Sequence, residues 1–247
     1  GSLTIRMDSY GPKEPSRTGW KRVLGSGTTR TDSYRAKQTT NVRYLSSPEE
    51  KQLRDALTAR DDRKKSERIS ANKWRAERGY TLLPMLAKHA YSDYLTPLVL
   101  LAQNTGMRRG ELFRLHWESV KLGDKRLTVG GAKAKSGQTR HISLNTEATK
   151  ILKSWQKQTS NKGLVFPSEK GTPLTSIKNS WTGLLKKARI KNFRFHDLRH
   201  DFASKLVMEG APLNTVRDLF GHADYQTTLR YAHLAPEHQV AWIEKIN

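Results

Sequence analysis

The residues most suited to chemistry lie close together near the C-terminus, between Phe193 and Leu234. The set comprises His196, Arg199, His222 and Tyr231. A tyrosine is a poor nucleophile at neutral pH, because with a pKa of about 10 only about one part in a thousand is phenolate. A histidine can take the phenol proton, whereas an arginine stays charged and presents a rigid fork of donors suited to a phosphate. The set therefore indicates phosphoryl chemistry.

The whole chain is strongly basic. It has 247 residues with 45 Lys and Arg against 23 Asp and Glu, which gives a net charge of +22. A chain of this size can bury one good core, with at most a smaller appendage. Phosphate contacts by Lys and Arg release counterions and dominate affinity, so nucleic acid is the expected partner. A merely soluble basic protein, or one resting on anionic lipid, is the alternative.

The sequence excludes several other classes of protein. It contains no cysteine, which rules out disulfides, thiolate catalysis and cysteine-ligated zinc. It has no long apolar run and no signal-peptide pattern. We therefore expect a soluble, cytoplasmic protein with no membrane partner.

Residues 1–43 differ in composition from the rest of the chain. They have little apolar periodicity and much Gly, Ser, Thr and Arg, and Gly1-Ser2 resembles a cloning scar. This segment is either a basic, flexible arm that follows a DNA backbone or a linker left by trimming a longer protein. Residues 44–247 are expected to form the folded domain.

Apolar periodicity predicts several helices in residues 44–247. The first should begin at Ser46–Glu50 with Ser47 as its cap, and the charged stretch Arg60–Arg78 should form a solvated extension of it. The most apolar run, Tyr91–Gln103, is predicted to be a central core helix. Gly106 should end that helix, and further helices are predicted at Thr146–Gln156, at Ser176–Arg189, around Leu198, Phe202 and Leu206, and from Pro212 to Gly221.

Between these helices the sequence predicts other elements. A helix after Gly106 should carry Leu112, Leu115 and Trp117, and Glu111 lies within helical reach of Arg108 and could hold it. Strands at residues 126–131 and 139–144 should form a hairpin, with Lys133 and Lys135 in its turn. A short strand or sheet edge is predicted at Leu164–Pro167.

Taken in order, five sequence elements resemble the tyrosine recombinase, or phage integrase, family. They are Thr105–Leu112, Lys135 with Arg140–Leu144 behind it, His196–His200, Gly221-His222 and Arg230–His233. The resemblance covers about Tyr44 to Asn247, which corresponds to the catalytic domain of that family. It implies a mainly α-helical fold with a small antiparallel β-sheet.

The resemblance also implies a role for each site residue. Arg108 and Arg199 would clamp the scissile phosphate, and Lys135 would be the general acid for the leaving 5′ oxygen. His196 would assist as acid or base, His222 would donate a hydrogen bond to the phosphate, and Tyr231 would attack. No cofactor or metal is implied.

The implied function is that of a site-specific recombinase, which cleaves and rejoins double-stranded DNA through a 3′-phosphotyrosyl intermediate to integrate or excise a mobile element. Such enzymes act as dimers or tetramers on DNA and commonly pass a C-terminal segment, here Ala235–Asn247, to a neighbouring subunit. Packing of this segment on its own domain is the alternative.

The sequence departs from the family pattern in three places. The hairpin reads Ile142-Ser-Leu where the family commonly has a proline, and Arg60–Arg78 is longer than usual. The first forty-odd residues do not look like the helical core-binding domain that generally precedes the catalytic one. The chain is therefore expected to be a fragment, or a form without that clamp.

Other interpretations remain open. A type IB topoisomerase would share the tyrosine chemistry, and a non-catalytic DNA-binding regulator is a third reading, although Tyr231 and both arginines are intact. His196 and His200 imitate the zinc motif His-Glu-x-x-His, but Asp replaces Glu and a cation stands between the ligands. His200 and His233 are interpreted as structural residues.

Overall fold

Helices dominate the computed structural model, which describes residues 42–130 and 139–236. The fold class predicted from the sequence is confirmed: helices surround a small antiparallel sheet. The helices are α1 (Ser47–Ala76), α2 (Leu95–Thr105), α3 (Arg109–Phe113), α4 (Thr146–Gln158), α5 (Lys178–Lys187), α6 (Asp197–Met208), α7 (Leu213–Phe220) and α8 (Gln226–Leu229). Most of the predicted N-terminal arm, the hairpin turn with Lys133 and Lys135, and residues 237–247 lie outside the described residues.

Helix α1 begins at Ser47, one residue earlier than predicted from a cap at Ser47. Ser46, not Ser47, is the N-cap: its hydroxyl accepts from the Glu49 amide, and the Glu49 carboxylate accepts from the Ser46 amide at 3.0 Å. This reciprocal pair satisfies two free amides at the helix start. The predicted charged extension is confirmed as helix as far as Ala76, which makes α1 about 45 Å long at ~1.5 Å per residue.

The outer half of α1 is tied to the chain that follows it. The Asn72 side chain donates to the Leu83 carbonyl and accepts from the Leu83 amide, both at 2.8 Å. Trp74 stacks on Tyr80 with ring centroids 5.6 Å apart, and the Arg78 guanidinium covers Trp74 at 4.5 Å. These contacts join the outer part of α1 to the exposed chain that follows it.

Helix α2 is the predicted central helix, but it begins at Leu95 rather than Tyr91. The Asp93 carboxylate accepts from the Leu95 amide at 2.9 Å and also binds Arg60 and Lys64. A carboxylate fixed there starts the helix, and Tyr91 and Ser92 before it lie outside the helix. The helix ends at Thr105, and Gly106 stops it as predicted; the structure shows Gly106 in the left-handed conformation.

The helix predicted to carry Leu112, Leu115 and Trp117 stops at Phe113. Leu115 instead lies in extended chain, and its carbonyl accepts from the Val165 amide at 2.8 Å. Trp117 begins a 3-10 turn, and its amide donates to the Gly163 carbonyl at 2.9 Å. These long-range backbone bonds replace the helical ones. The strand predicted at Leu164–Pro167 is reduced to isolated bridges, one of which joins Leu164 to His116.

The sheet contains the predicted hairpin. Its strands β1 (Val120–Lys121), β2 (Arg126–Val129) and β3 (Arg140–Ser143) pair in that order, all antiparallel. Leu127 pairs with Ile142 and Val129 with Arg140. Because side chains alternate across a strand, this register turns Arg140 towards the interior, on the same side as Ile142.

The remaining helices follow the predictions with small shifts at their ends. Helix α5 is shorter than Ser176–Arg189, and Gly221 ends α7 in the left-handed conformation, as predicted. Helix α2 packs on α4 and α6, while a second small core lies between α6, α7 and the segment around Tyr231. In the part of the chain that the structure describes, no helix combines the length and apolar character needed to cross a bilayer.

Candidate active site

Arg199 lies buried in the first turn of α6 and joins the ends of two other helices. Its Nη1 donates to the Gly106 carbonyl at 2.7 Å, and its Nη2 donates to the Phe220 carbonyl at 2.8 Å. The guanidinium also stacks over the Phe220 ring at 4.1 Å. Burial, followed by the charge of Arg108, lowers the pKa of Arg199 to about 9, so the group is still a cation at neutral pH. Arg199 is thus held rigidly before any ligand arrives.

Two glycines permit this arrangement. Gly106 and Gly221 have φ angles of 58° and 59°. A Cβ at Gly106 would lie 2.6 Å from the Phe202 ring, and one at Gly221 would lie 3.0 Å from the Arg140 side chain. Backbone conformation and lack of space therefore both require glycine at the ends of α2 and α7.

Glu111 is a buried carboxylate that binds two further arginines. The predicted contact with Arg108 is confirmed, at 3.1 Å from Nη1. Glu111 also accepts from both Nη atoms of Arg140 at 3.0 and 2.6 Å, and Arg140 Nε donates to the Leu219 carbonyl at 3.1 Å. Burial raises the pKa of Glu111, but the bonds and charge of Arg140 outweigh it and leave the pKa below its ordinary value.

The role of Arg140 was missed in the sequence, although a signal was present. The two-residue period of β3 places this arginine on the same face as Ile142, and a buried cation requires a carboxylate. Within the described residues, Glu111 pairs with Arg108 and Arg140 and no carboxylate pairs with Arg199, which leaves excess positive charge. Beside this group opens a polar cleft of about 460 Å³, lined by Thr139, Arg140, Arg217, Asp218, Gly221 and His222.

His222 follows the end of α7 and lies between Arg199 and Thr228. Its Nε2 is 3.3 Å from Arg199 Nη2, and its Nδ1 is 2.9 Å from the Thr228 hydroxyl. Burial, then the charge of Arg199, lowers the pKa of His222 to about 4. The ring is therefore neutral at pH 7. Because Arg199 can only donate, Nε2 accepts and Nδ1 carries the proton.

Tyr231 is buried, with 1% of its surface exposed, in the small core formed with Val207, Val216 and Phe220. Its hydroxyl lies 2.7 Å from Nδ1 of His200. Burial raises the pKa of Tyr231. His200, interpreted from the sequence as structural, is therefore the hydrogen-bond partner of the predicted nucleophile. Its position beside Arg199, one helical turn after His196, is the signal that could have identified it.

His196 lies at the N-terminal end of α6 and remains accessible to solvent. Its ring meets the His200 ring edge-on, with centroids 5.2 Å apart. Partial burial, followed by the charge of Arg199, lowers the pKa of His196. His200 uses Nδ1 for Tyr231, and the described residues contain no group of three His, Asp or Glu placed to hold a metal. The described residues therefore offer no set of ligands that would support a zinc site at His196 and His200.

The structure thus collects Arg199, His222, His196 and Tyr231 around α6, with Arg108 near enough to affect the pKa of Arg199. Lys135 lies outside the described residues, so its place in the site stays a prediction. His233 is exposed, two residues after Tyr231.

Comparison with known proteins agrees with this geometry. The integrase of Salmonella phage P22 is 33% identical over 174 residues, which are 64% of this chain and 44% of that protein. Tyrosine recombinase XerC of Xanthomonas campestris pv. campestris is 30% identical over 149 residues, 57% of this chain and 44% of that protein. The chain spans about half the length of the curated relatives it matches.

Solved structures show the same fold at lower sequence identity. The catalytic domain of bacteriophage HP1 integrase superposes with a TM-score of 0.56 at 19% identity, over 82% of this chain and 94% of that one. The Tn1549 transposon integrase, in complex with circular intermediate DNA, superposes with a TM-score of 0.59 at 18% identity, over 83% of this chain and 67% of that one. Residues 49–238, most of the chain, match the sequence pattern described as the phage integrase family. The chain therefore belongs to the phage integrase family, whose matched members include proteins named tyrosine recombinases.

Proposed function

We propose that this chain is the catalytic part of a site-specific DNA recombinase, which cleaves and rejoins double-stranded DNA through a covalent bond between Tyr231 and a 3′ phosphate. The observation that carries the proposal is the grouping around α6: a buried tyrosine bonded to a neutral histidine, close to arginines in excess of carboxylate. The names of the relatives, integrase and tyrosine recombinase, support the same activity.

Arg199 and Arg108 bind the scissile phosphate in this proposal. The guanidinium of Arg199 has five N–H donors. In the part of the chain that the structure describes, contacts with Gly106, Phe220 and His222 use three of them, which leaves Nε and one Nη1 proton for an anion. Charge that develops on the phosphate oxygens in the transition state then meets preorganised cations, which is the largest stabilising effect available to such a site.

The chemical step exchanges one phosphodiester for another. The Tyr231 oxygen forms a bond to phosphorus as the bond from phosphorus to the 5′ oxygen breaks, and Lys135 gives that oxygen its proton. His222 supports the phosphate and His196 assists proton movement. In the structure Nε2 of His222 accepts from Arg199, so His222 can donate to the phosphate only if Nε2 gains a proton when the phosphate binds. The phosphotyrosine keeps the bond energy, so a different 5′ hydroxyl can reverse the step without ATP.

The wider organisation is proposed on the same basis. Residues 44–247 form the catalytic domain, and residues 1–43 are a basic arm or linker. The recombinase works in the cytoplasm on a mobile element, as a dimer or tetramer on DNA, with Ala235–Asn247 contacting a neighbouring subunit. The relatives named as phage and transposon integrases support integration or excision as the outcome.

A suicide DNA substrate tests the proposal. A nicked duplex that loses its 5′ hydroxyl fragment after cleavage should trap a denaturant-stable adduct carrying a 3′-phosphotyrosine. Tyr231→Phe should form none, whereas Tyr225→Phe, at an exposed tyrosine on the same segment, should react normally. A 5′ linkage, or an adduct in Tyr231→Phe, would contradict the proposal. Relaxation of plasmids regardless of sequence would indicate a topoisomerase. If no adduct forms at all, the chain would instead be a DNA-binding regulator.

A further inference from the structure

We infer that His200 is the group that accepts the proton of Tyr231 when the tyrosine attacks. The inference rests on the proposed function and deepens it, because the sequence resemblance gave His200 no chemical role. Its basis is the contact of 2.7 Å between Tyr231 Oη and His200 Nδ1. A proton acceptor must lie within hydrogen-bond reach of the proton it removes, and this contact meets that condition.

To accept the proton of Tyr231, His200 must be neutral with an unprotonated Nδ1, and its surroundings keep the ring neutral. Burial is the main cause that lowers the pKa of His200 to about 4, followed by the charges of His196 and Arg230; Asp197 opposes them and Arg199 adds to them. The ring is thus neutral at pH 7, with one N–H and one lone pair. A phenol at that pH holds its proton, and in the inferred arrangement the hydroxyl donates that proton to Nδ1 while the histidine proton sits on Nε2.

The other histidines of the site are less well placed for this role. His222 has both nitrogens engaged, with Thr228 and Arg199. His196 meets His200 rather than the tyrosine hydroxyl. The Tyr231 ring is packed in the small apolar core, so its position does not depend on the bond to His200 alone.

The proton transfer balances with the phosphoryl step. As the Tyr231 oxygen bonds to phosphorus, its O–H bond breaks and the proton moves to Nδ1, which makes His200 an imidazolium. In rejoining, a 5′ hydroxyl displaces the tyrosine and His200 returns the proton. A pKa of about 4 makes a weak base in the free protein. The phosphate anion that enters with DNA raises that pKa, because an opposite charge nearby favours the protonated ring.

Single-turnover cleavage of the suicide substrate, followed from pH 5 to pH 9, tests this inference. His200→Asn keeps an acceptor oxygen close to the Nδ1 position but cannot take up a proton. Its cleavage rate should fall by about 10²–10⁴-fold at pH 7. The rate should then rise about tenfold per pH unit, because only the phenolate fraction still reacts. Added imidazole should partly restore His200→Ala, and His233→Asn, an exposed histidine next to the site, should match the unmodified chain.

The outcomes separate the two proposals. If Tyr231→Phe still forms the adduct, the proposed function fails. If Tyr231→Phe is inactive but His200→Asn keeps the rate and pH profile of the unmodified chain, the function stands and the role of His200 is refuted. A rate that falls equally at every pH, without imidazole rescue, would reduce His200 to a positioning residue.

The inference can also be tested on the unmodified chain, so that the result does not depend on whether a variant folds. Nitrogen-15 NMR of the histidine rings reports which nitrogen carries the proton. We expect His200 to be neutral at pH 7 with its proton on Nε2 and a free lone pair on Nδ1. A proton on Nδ1, which would make the histidine the donor to Tyr231, would overturn the inference.

Discussion

Replacing Glu111 by glutamine should destabilise the fold through the arginines it neutralises. The carboxylate is 8% exposed and binds Arg108 and Arg140, of which Arg140 is itself 8% exposed. Loss of one partner of a buried ion pair costs about 3–5 kcal/mol, because the other charge stays buried. Glutamine keeps one acceptor oxygen, so we expect the lower end, about 3 kcal/mol, or about 6–12 °C in Tm.

The assay is thermal unfolding in chloride and in sulfate, with Glu118→Gln, at an exposed carboxylate, as the matched control. Sulfate should recover part of the loss in Glu111→Gln and less in the control, because an anion bound beside the arginines supplies the missing negative charge. The pKa of Glu111 is lowered in the folded state, so its contribution is complete above the ordinary value of 4.5 and disappears as the pH falls below it. A Tm change under about 2 °C at pH 7, less than about 1 kcal/mol, would refute this reasoning.

Four further outcomes are expected. Arg199→Lys should lose suicide-substrate cleavage by more than about 100-fold and cost about 1–3 kcal/mol in urea unfolding, because a lysine cannot satisfy both buried carbonyls. Lys135→Ala should be rescued by a 5′-thiol leaving group, which needs no acid; rescue of Lys133→Ala instead would move the role to Lys133. Asn72→Ala should speed hydrogen exchange in residues 80–85 while leaving cleavage unchanged, and unchanged exchange would contradict the described contact. Thermal stability should fall as the pH drops from about 6.5 towards 4, because the half-buried His200 and His222 have pKa values of about 4 and are charged earlier in the unfolded chain; a flat Tm over that interval would contradict it.

Local signals in the sequence correctly predicted where two helices end. Gly106 and Gly221 stop their helices in the left-handed conformation because few other residues adopt it. The start of α2 was misplaced because Tyr91 and Tyr94 continue the apolar run in the sequence, while the carboxylate of Asp93 that starts the helix draws its ion pairs from α1. Apolar content indicates which residues are buried. The residue at which the helix begins is instead set by the capping group, here the carboxylate of Asp93.

Contacts between distant positions were beyond the sequence. The bond of Arg140 to Glu111 joins residues 29 positions apart, and that of His200 to Tyr231 joins residues 31 apart. A residue type and a period can show that a buried arginine needs a carboxylate or that a tyrosine needs a base. They cannot show which of several candidates lies within 3 Å, because that depends on how β3, α3 and α6 pack.

The same few groups hold the fold together and form the candidate site. Arg199 satisfies the carbonyls that end α2 and α7, and Arg140 ties α7 to the carboxylate on α3. Arg140 shares the Glu111 carboxylate with Arg108, whereas Arg199 bonds to carbonyls, and burying these cations costs free energy that a phosphate anion would recover. DNA binding should therefore stabilise the ends of α2 and α7 as well as place the reacting phosphorus, since the guanidinium that meets the anion is already bonded to both helix ends.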